Sequence, residues 1–308
     1  MSLSFLPFCD FGLTQLCVRT PRKSGRASAP APDCSARRYR AAVQVVLLTG
    51  ASQGIGAATA RRLAARGLEV YGTSRRPERL AEGAPPIHWI AMDVREDASV
   101  QRGVSETLQR ASRLDALVCN AGFGIFGSVE EVSLADARSQ FETNFFGVLR
   151  CVRAAVPHLR KQGSGRVVLV GSLAGRAPIP FQSHYSASKA AIDSLAQSLY
   201  NELHGSGVRV SLVEPGDIHT GFNDEIDFSS ADASPYGARI ARCREVIERS
   251  LVDAPPADLV ARAIERALCD ARPRFRYAVG REAPLVAVGR RLLPERLLMR
   301  LLRDHFGI

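Results

Sequence analysis

Lysine is nearly missing from this chain of 308 residues. It stands only at 23, 161 and 189, so 38 of the 41 basic residues are arginine (41 − 3). Where arginine is the rule, a retained lysine asks for a reason, because the compact ammonium and the planar guanidinium are not interchangeable. Long hydrophobic runs are also absent: none approaches the roughly 18 apolar residues of a membrane-spanning helix, so none is expected. The seven cysteines, at 9, 17, 34, 119, 151, 243 and 269, are odd in number and show no CxxC or paired Cys/His spacing. Neither a metal site nor a disulfide framework is indicated, which fits a reducing, cytoplasmic compartment.

The net charge of +10 belongs to the ends. Residues 1–42 carry seven basic and two acidic residues, giving +5, and residues 272–308 carry nine arginines against Glu282, Glu295 and Asp304, giving +6. The middle is left at 10 − 5 − 6 = −1. A nucleic-acid enzyme would spread basic charge over its working surface, so no nucleic-acid partner is expected. Residues 1–42 mix Pro, Ser, Ala and Arg without periodicity and read as a disordered extension. A transit peptide, a start placed too far upstream and a secretory signal all remain open for it, the last weakened because no basic residue precedes "MSLSFLPF".

From Val43 the composition changes to alternating strand-like and helix-like blocks. "VQVVLLTG" is a continuous apolar run of the kind buried on both faces of a sheet, and "IGAATARRLAARG" has helical spacing closed by Gly67. The rhythm repeats through "LEVYGTS", "IHWIAMDV", "LDALVCNAG", a helix over 144–160, "GRVVLVGS", a further helix and "VRVSLVEPG", with "RFRYAVG" as a seventh strand. The expected fold is α/β: a single doubly wound domain over 43–280, with a seven-stranded, mainly parallel sheet flanked by helices on both faces.

"TGASQGIG", residues 49–56, lies where the first strand hands over to a helix. Glycines there permit a tight turn and the approach of a pyrophosphate to the helix N-terminus, so Gly50, Ser52, Gln53, Gly54, Ile55 and Gly56 are expected to hold a dinucleotide. An acidic residue at the end of the second strand would receive a ribose 2′-hydroxyl. "GTSRRPER" offers Arg75 and Arg76 instead, which suits a 2′-phosphate and favours NADP(H). Asp93 and Val94 close the third strand, where the aspartate can receive the adenine amine, and Asn120, Ala121 and Gly122 close the fourth. A plain strand-end turn is the alternative for either.

Tyr185 and Lys189 in "HYSASK" are spaced i, i+4 and share one face of a helix. An adjacent ammonium favours phenolate and brings a phenol towards the working range of a general acid/base. Ser172 follows "RVVLV" at the carboxyl end of a strand, where ligands bind in such sheets, and its hydroxyl can hold a substrate oxygen. His184 points about 100° away from its neighbour on a helix and is set aside.

Together "TGASQGIG", "NAG" at 120–122, Asn144 in "FETNFFG", Ser172 thirteen residues before Tyr185, "YSASK" and "PGDIHT" at 215–220 resemble the short-chain dehydrogenases/reductases over residues 43 to about 225. The resemblance implies a Rossmann fold with Tyr185 as proton donor or acceptor, Lys189 lowering its pKa and holding the nicotinamide ribose, and Ser172 orienting the carbonyl. Asn144 would position a water feeding protons to Lys189. Pro215, Gly216, Ile218 and Thr220 would border the nicotinamide, and no metal is implied.

Residues 217–256 break the βα rhythm and are expected to cover the substrate. Phe222, Phe228 and Tyr236, with Phe126 and Phe181, suggest a pocket for an apolar molecule. The tail, residues 281–308, is basic and amphipathic, and can pack on its own domain, close a homodimer or homotetramer, or lie as a peripheral contact on an anionic membrane. The tail and the GTSRR loop are similar to the 17β-hydroxysteroid and retinol dehydrogenase branch, which implies an alcohol/carbonyl pair on a lipid, steroid or retinoid. The alternatives are a fatty-acyl or polyketide ketoreductase or enoyl reductase, and a non-catalytic NADP(H)-binding regulator.

Overall fold

The computed structural model describes residues 43–79, 86–220 and 234–308. The extension 1–42, Phe222 and Phe228 lie outside the described residues. The strands are β1 (Val45–Leu48), β2 (Glu69–Ser74), β3 (His88–Ala91), β4 (Ala116–Cys119), β5 (Gly165–Val170), β6 (Val208–Pro215) and β7 (Arg276–Val279). They form one sheet in the order β3-β2-β1-β4-β5-β6-β7, parallel throughout. The winding reverses between β1 and β4, which opens a crevice at the carboxyl ends of those two strands.

The helices are α1 (Gly54–Ala65), α2 (Asp97–Ala111), α3 (Leu134–Phe141), α4 (Gly147–Gln162), α5 (Ser183–Glu202), α6 (Gly237–Val252), α7 (Asp258–Cys269), α8 (Ala283–Leu292) and α9 (Glu295–Phe306). Alternation along β1 assigns the two faces of the sheet. Val45 and Leu47 pack with Val104, Val152, Leu159 and Ile192 of α2, α4 and α5, whereas Val46 and Leu48 pack with Leu63, Val260 and Ile264 of α1 and α7. Both faces are covered, which is why the central strands β1 (VVLL) and β4 (ALVC) are wholly apolar. A third, smaller cluster joins Phe126, Ile240, Cys243 and Phe306, so α9 packs on its own domain beside α6. Among the described residues no helix is long and apolar enough to cross a membrane.

One helix departs from the sequence reading. The helix expected over 144–160 starts ten residues earlier, at Leu134, and passes through a π turn, Glu142–Phe146, before continuing as α4. A π turn inserts one extra residue into the helical repeat, so the stripes before and after it are out of phase and periodicity does not join them.

Arg276 ties the sheet's far edge to α5: Nη1 donates to Glu214 of β6 and Nη2 to Asp193 of α5 (2.6 Å). Glu214 is 1 % exposed, and burial pushes its carboxyl above the ordinary range while Arg276 pulls it back. Arg276→Met leaves that carboxylate buried without its main partner, so unfolding should become easier by about 3 kcal/mol. Because a raised folded pKa favours the protonated form, the loss should be smaller at about pH 5 than at about pH 8. Urea unfolding at the two pH values checks this, and equal losses would refute the assignment.

Candidate functional site

The turn after β1 is stapled to the end of β4. Thr49 Oγ1 accepts from the backbone N–H groups of Asn120 (2.9 Å) and Ala121 (3.0 Å), and Asn120 Nδ2 donates to the carbonyls of Thr49 and Gly50. A β-carbon on Gly56 would lie 1.9 Å from the Gly50 carbonyl oxygen, so only glycine lets α1 come this close to the turn. Ser52 and Gln53 are exposed, Ile55 packs against the core beneath α1, and Gly54 opens the helix. No side chain caps α1 and no acidic residue lies in its first turn. Among the described residues only Thr220 approaches the space a β-carbon on Gly54 would take, at 3.6 Å. Free N–H groups at an uncapped helix end, with glycine on the approach, fit a pyrophosphate.

At the neighbouring strand ends, Arg75 and Arg76 are exposed just after β2, and Arg76 N donates to Ser74 Oγ. Asp93 is held by Arg95 in a two-pronged pair, which keeps its carboxyl below the ordinary range against the opposing effect of burial, with Arg75 adding to the lowering. Any ligand group that Asp93 accepts must therefore share it with Arg95. Val94 is buried against Gly147 at the start of α4.

The reacting residues come together from three elements. Tyr185 and Lys189 occupy the first two turns of α5, and Ser172 sits just beyond β5. Ser172 Oγ accepts from Ala174 N, donates to the Pro215 carbonyl (3.3 Å) and hydrogen-bonds the Tyr185 phenol. Lys189 Nζ lies 5.7 Å from the centre of the Tyr185 ring and donates to the Val170 carbonyl (3.0 Å). Asn144, inside the π turn, holds the backbone of Phe123 through both ends of its amide, and its Nδ2 also donates to Ser188 Oγ (3.1 Å). Asn144 and Lys189 both border Gly122: a β-carbon there would lie 3.0 Å from Asn144 Oδ1 and 3.7 Å from Lys189 Nζ.

The electrostatics differ from the sequence expectation. Burial pushes the Tyr185 phenol above its ordinary value, and the group opposing that rise is Ser172 rather than Lys189. Burial also pulls Lys189 down to about 8. The ammonium is directed to the Val170 carbonyl, and its desolvation makes the proton easier to give up near neutral pH.

On the remaining side, Pro215 ends β6, Gly216 N donates to the Val279 carbonyl, Ile218 is buried and Thr220 is half-buried. Of the aromatics expected around the substrate, Phe126 is buried in the cluster containing Phe306 of α9. Phe181, at φ +61°, lies between Phe126 and Tyr236, with ring centres 6.2 and 6.1 Å away. Such a backbone is strained for an aromatic residue, and it sits two residues before α5 begins.

Three positioning residues escaped the sequence reading. Thr49 is the staple described above. Ser188 passes the Asn144 amide on to the Tyr185 carbonyl, to which its Oγ donates (2.7 Å). A β-carbon on Gly175 would lie 2.8 Å from the Lys189 carbonyl carbon, so this glycine lets the turn carrying Ser172 rest directly on α5. The letters between Tyr185 and Lys189, all small, were the available signal for Ser188; nothing local marked Gly175.

Residues 44–229 match the family described as short chain dehydrogenase. The chain is 34% identical to 3-ketodihydrosphingosine reductase of Bacteroides thetaiotaomicron, over 86% of this chain and 98% of that protein. It is 33% identical to estradiol 17-beta-dehydrogenase 1 of Rattus norvegicus, over 76% and 72%. Two similar solved structures are short-chain dehydrogenases from Burkholderia. That of Burkholderia phymatum, in complex with NAD, has a TM-score of 0.71 at 27% identity and covers 85% of this chain and 96% of its own. That of Burkholderia cenocepacia, in complex with NADP, has a TM-score of 0.67 at 28% identity and covers 85% and 98%.

Lys189 is 6 % exposed, and its lowered pKa means that its charge works against folding. Replacing it by methionine should stabilise the nucleotide-free protein by about 2 kcal/mol: about 3 from the charge, less about 1 for the hydrogen bond to Val170. A base with a depressed folded pKa exerts its full penalty below that pKa, so the gain should be complete below about pH 8 and fade towards about pH 10. Thermal melts of Lys189→Met across that range check the sign. A variant less stable at neutral pH would contradict it.

Proposed function

The chain belongs to the short-chain dehydrogenase family and is an oxidoreductase, and we propose that it uses NADP(H) to interconvert a hydrophobic alcohol and its ketone or aldehyde. The observation that carries this reading is the hydrogen-bonded Ser172–Tyr185 pair with Lys189 one turn behind it on α5. The turn at Gly50–Gly56, the N-terminus of α1 and Thr220 would hold the nucleotide, which when bound supplies the hydride in reduction and accepts it in oxidation. Ser172 Oγ and the Tyr185 hydroxyl together face a carbonyl oxygen, and the phenol delivers the proton in reduction or removes it in oxidation. Lys189 replaces that proton and engages the ribose. Asn144 and Ser188 fix the start of α5, so that the phenol is held in place.

The preference for NADP(H) rests on Arg75 and Arg76, exposed at the end of β2 with no acidic residue in the place where a 2′-hydroxyl would be received. The lipid character of the substrate is supported by the two relatives named above, whose names specify a ketosphingoid and a steroid. Phe181 and Tyr236, both half-buried beside the start of α5, are consistent with it.

Tyr185→Phe should lower kcat for NADPH-dependent reduction of a lipid ketone by about a hundredfold or more, with nucleotide affinity little changed. Undiminished turnover across a carbonyl panel would sink the mechanism, and tight NADPH binding by wild type without turnover on any carbonyl would point to a regulator. Separately, Arg75→Asp with Arg76→Ala should weaken NADPH binding at least tenfold more than NADH binding. Titration of both nucleotides by fluorescence measures this, and equal losses would remove the basis for the NADP(H) preference.

A further inference from the structure

Between the turn after β5, the middle of α5, β7 and α8 lies a cleft of about 550 Å³ lined by Arg176, Arg276, Arg290 and Arg291 together with Gly175 and Asp193. Arg276 is engaged by Glu214 and Asp193, and Arg176 stands 3.9 Å from Glu214. Arg290 and Arg291 are exposed and have no ion pair among the described residues. Four guanidinium groups face two carboxylates, leaving a local charge of 4 − 2 = +2. That balance and size suit an anionic group of phosphate chemistry, which arginine clusters hold through paired N–H donors.

The same helix says where such a group would come from. Leu285, Val288 and Leu292 are 74 %, 55 % and 71 % exposed and are spaced i, i+3, i+7, which puts them on one stripe of α8. On the helix circumference Arg291 falls between that stripe and Ala287, which lines the cleft. A free phosphate or a nucleic acid would account for the arginines and leave the leucines unexplained. An apolar stripe bordered by arginine is the pattern of a helix lying at a bilayer surface, with the aliphatic side chains in the acyl boundary and the guanidinium groups at the phosphates. The arginine-rich stretch 272–308, with its net +6, surrounds this helix, and Leu297 and Leu301 of α9 are exposed as well.

We propose that the four-arginine cleft and the apolar stripe of α8 form a docking site for an anionic lipid surface, a lipid phosphate seating in the cleft and Leu285, Val288 and Leu292 entering the bilayer. The proposal stands whether or not the reaction proposed above is correct.

The test is flotation of the full-length protein with vesicles of phosphatidylcholine alone and of phosphatidylcholine mixed with phosphatidylglycerol. Binding is expected to the mixed vesicles and to weaken with salt. Arg290→Gln with Arg291→Gln should lower the partition coefficient about thirtyfold, since each surface arginine contributes about fivefold. Leu285→Gln with Leu292→Gln should lower it at least tenfold with all arginines in place. Both pairs are on the surface, and unchanged thermal melts would show that the variants fold. Equal binding to both vesicle types would overturn the proposal, as would an unchanged partition of the arginine pair. An unchanged partition of the leucine pair would overturn insertion. Absence of vesicle binding, with retention on an acidic polypeptide column that Arg290→Gln and Arg291→Gln abolish, would overturn it in favour of a protein partner.

Discussion

The clamp between β1 and β4 is the constraint on which the rest depends. Two adjacent parallel strands whose chains continue in opposite winding directions leave a gap at their carboxyl ends, and here it is held at fixed width by the Thr49 hydroxyl and the Asn120 amide. The glycine turn, the uncapped end of α1 and the Asn120–Gly122 segment keep their mutual positions because of those bonds. Asn144 and Lys189 both border Gly122 at the end of that segment. Without the clamp each half of the site would belong to a separate βαβ unit.

The second organising fact is that the reacting groups are buried at a cost. Lys189 and Tyr185 are each shifted by desolvation in the direction that disfavours their charged forms. A lysine near 8 exchanges protons readily at neutral pH, and a phenol bonded to Ser172 has a defined orientation before substrate arrives. The stability given up at these positions is recovered by the two apolar layers on either side of the sheet, which is the common relation between a functional site and its scaffold.

Much of this was legible in the sequence because the physics that writes it is local. Strands covered on both faces need no polar alternation, so β1, β4 and most of β5 stand out as apolar runs; Tyr185 and Lys189 lie on one helix, where spacing alone sets their relation. What stayed hidden depends on approach between distant segments. Gly175 matters because α5 crosses it, Thr49 because β4 ends beside it, and Ser188 because Asn144 reaches it from another helix. The apolarity of Phe126 is visible in the sequence, but the surface it meets is not: it packs in a cluster with Phe306, 180 residues further on. The spacing of Tyr185 and Lys189 likewise gave no sign of the Val170 carbonyl, which accepts from the ammonium.

The π turn at Glu142–Phe146 separates two jobs that one continuous helix would have to share. Asn144 is indexed from α3 and the Phe123 segment, whereas the buried face of α4 is indexed from the sheet, and the extra residue lets both registers be met at once. The core under α4 is thereby free to drift in sequence without rotating the amide that secures α5. For anyone redesigning this scaffold, the packing of α4 and the geometry of the site are independent dials, provided that the count of residues between them is left alone.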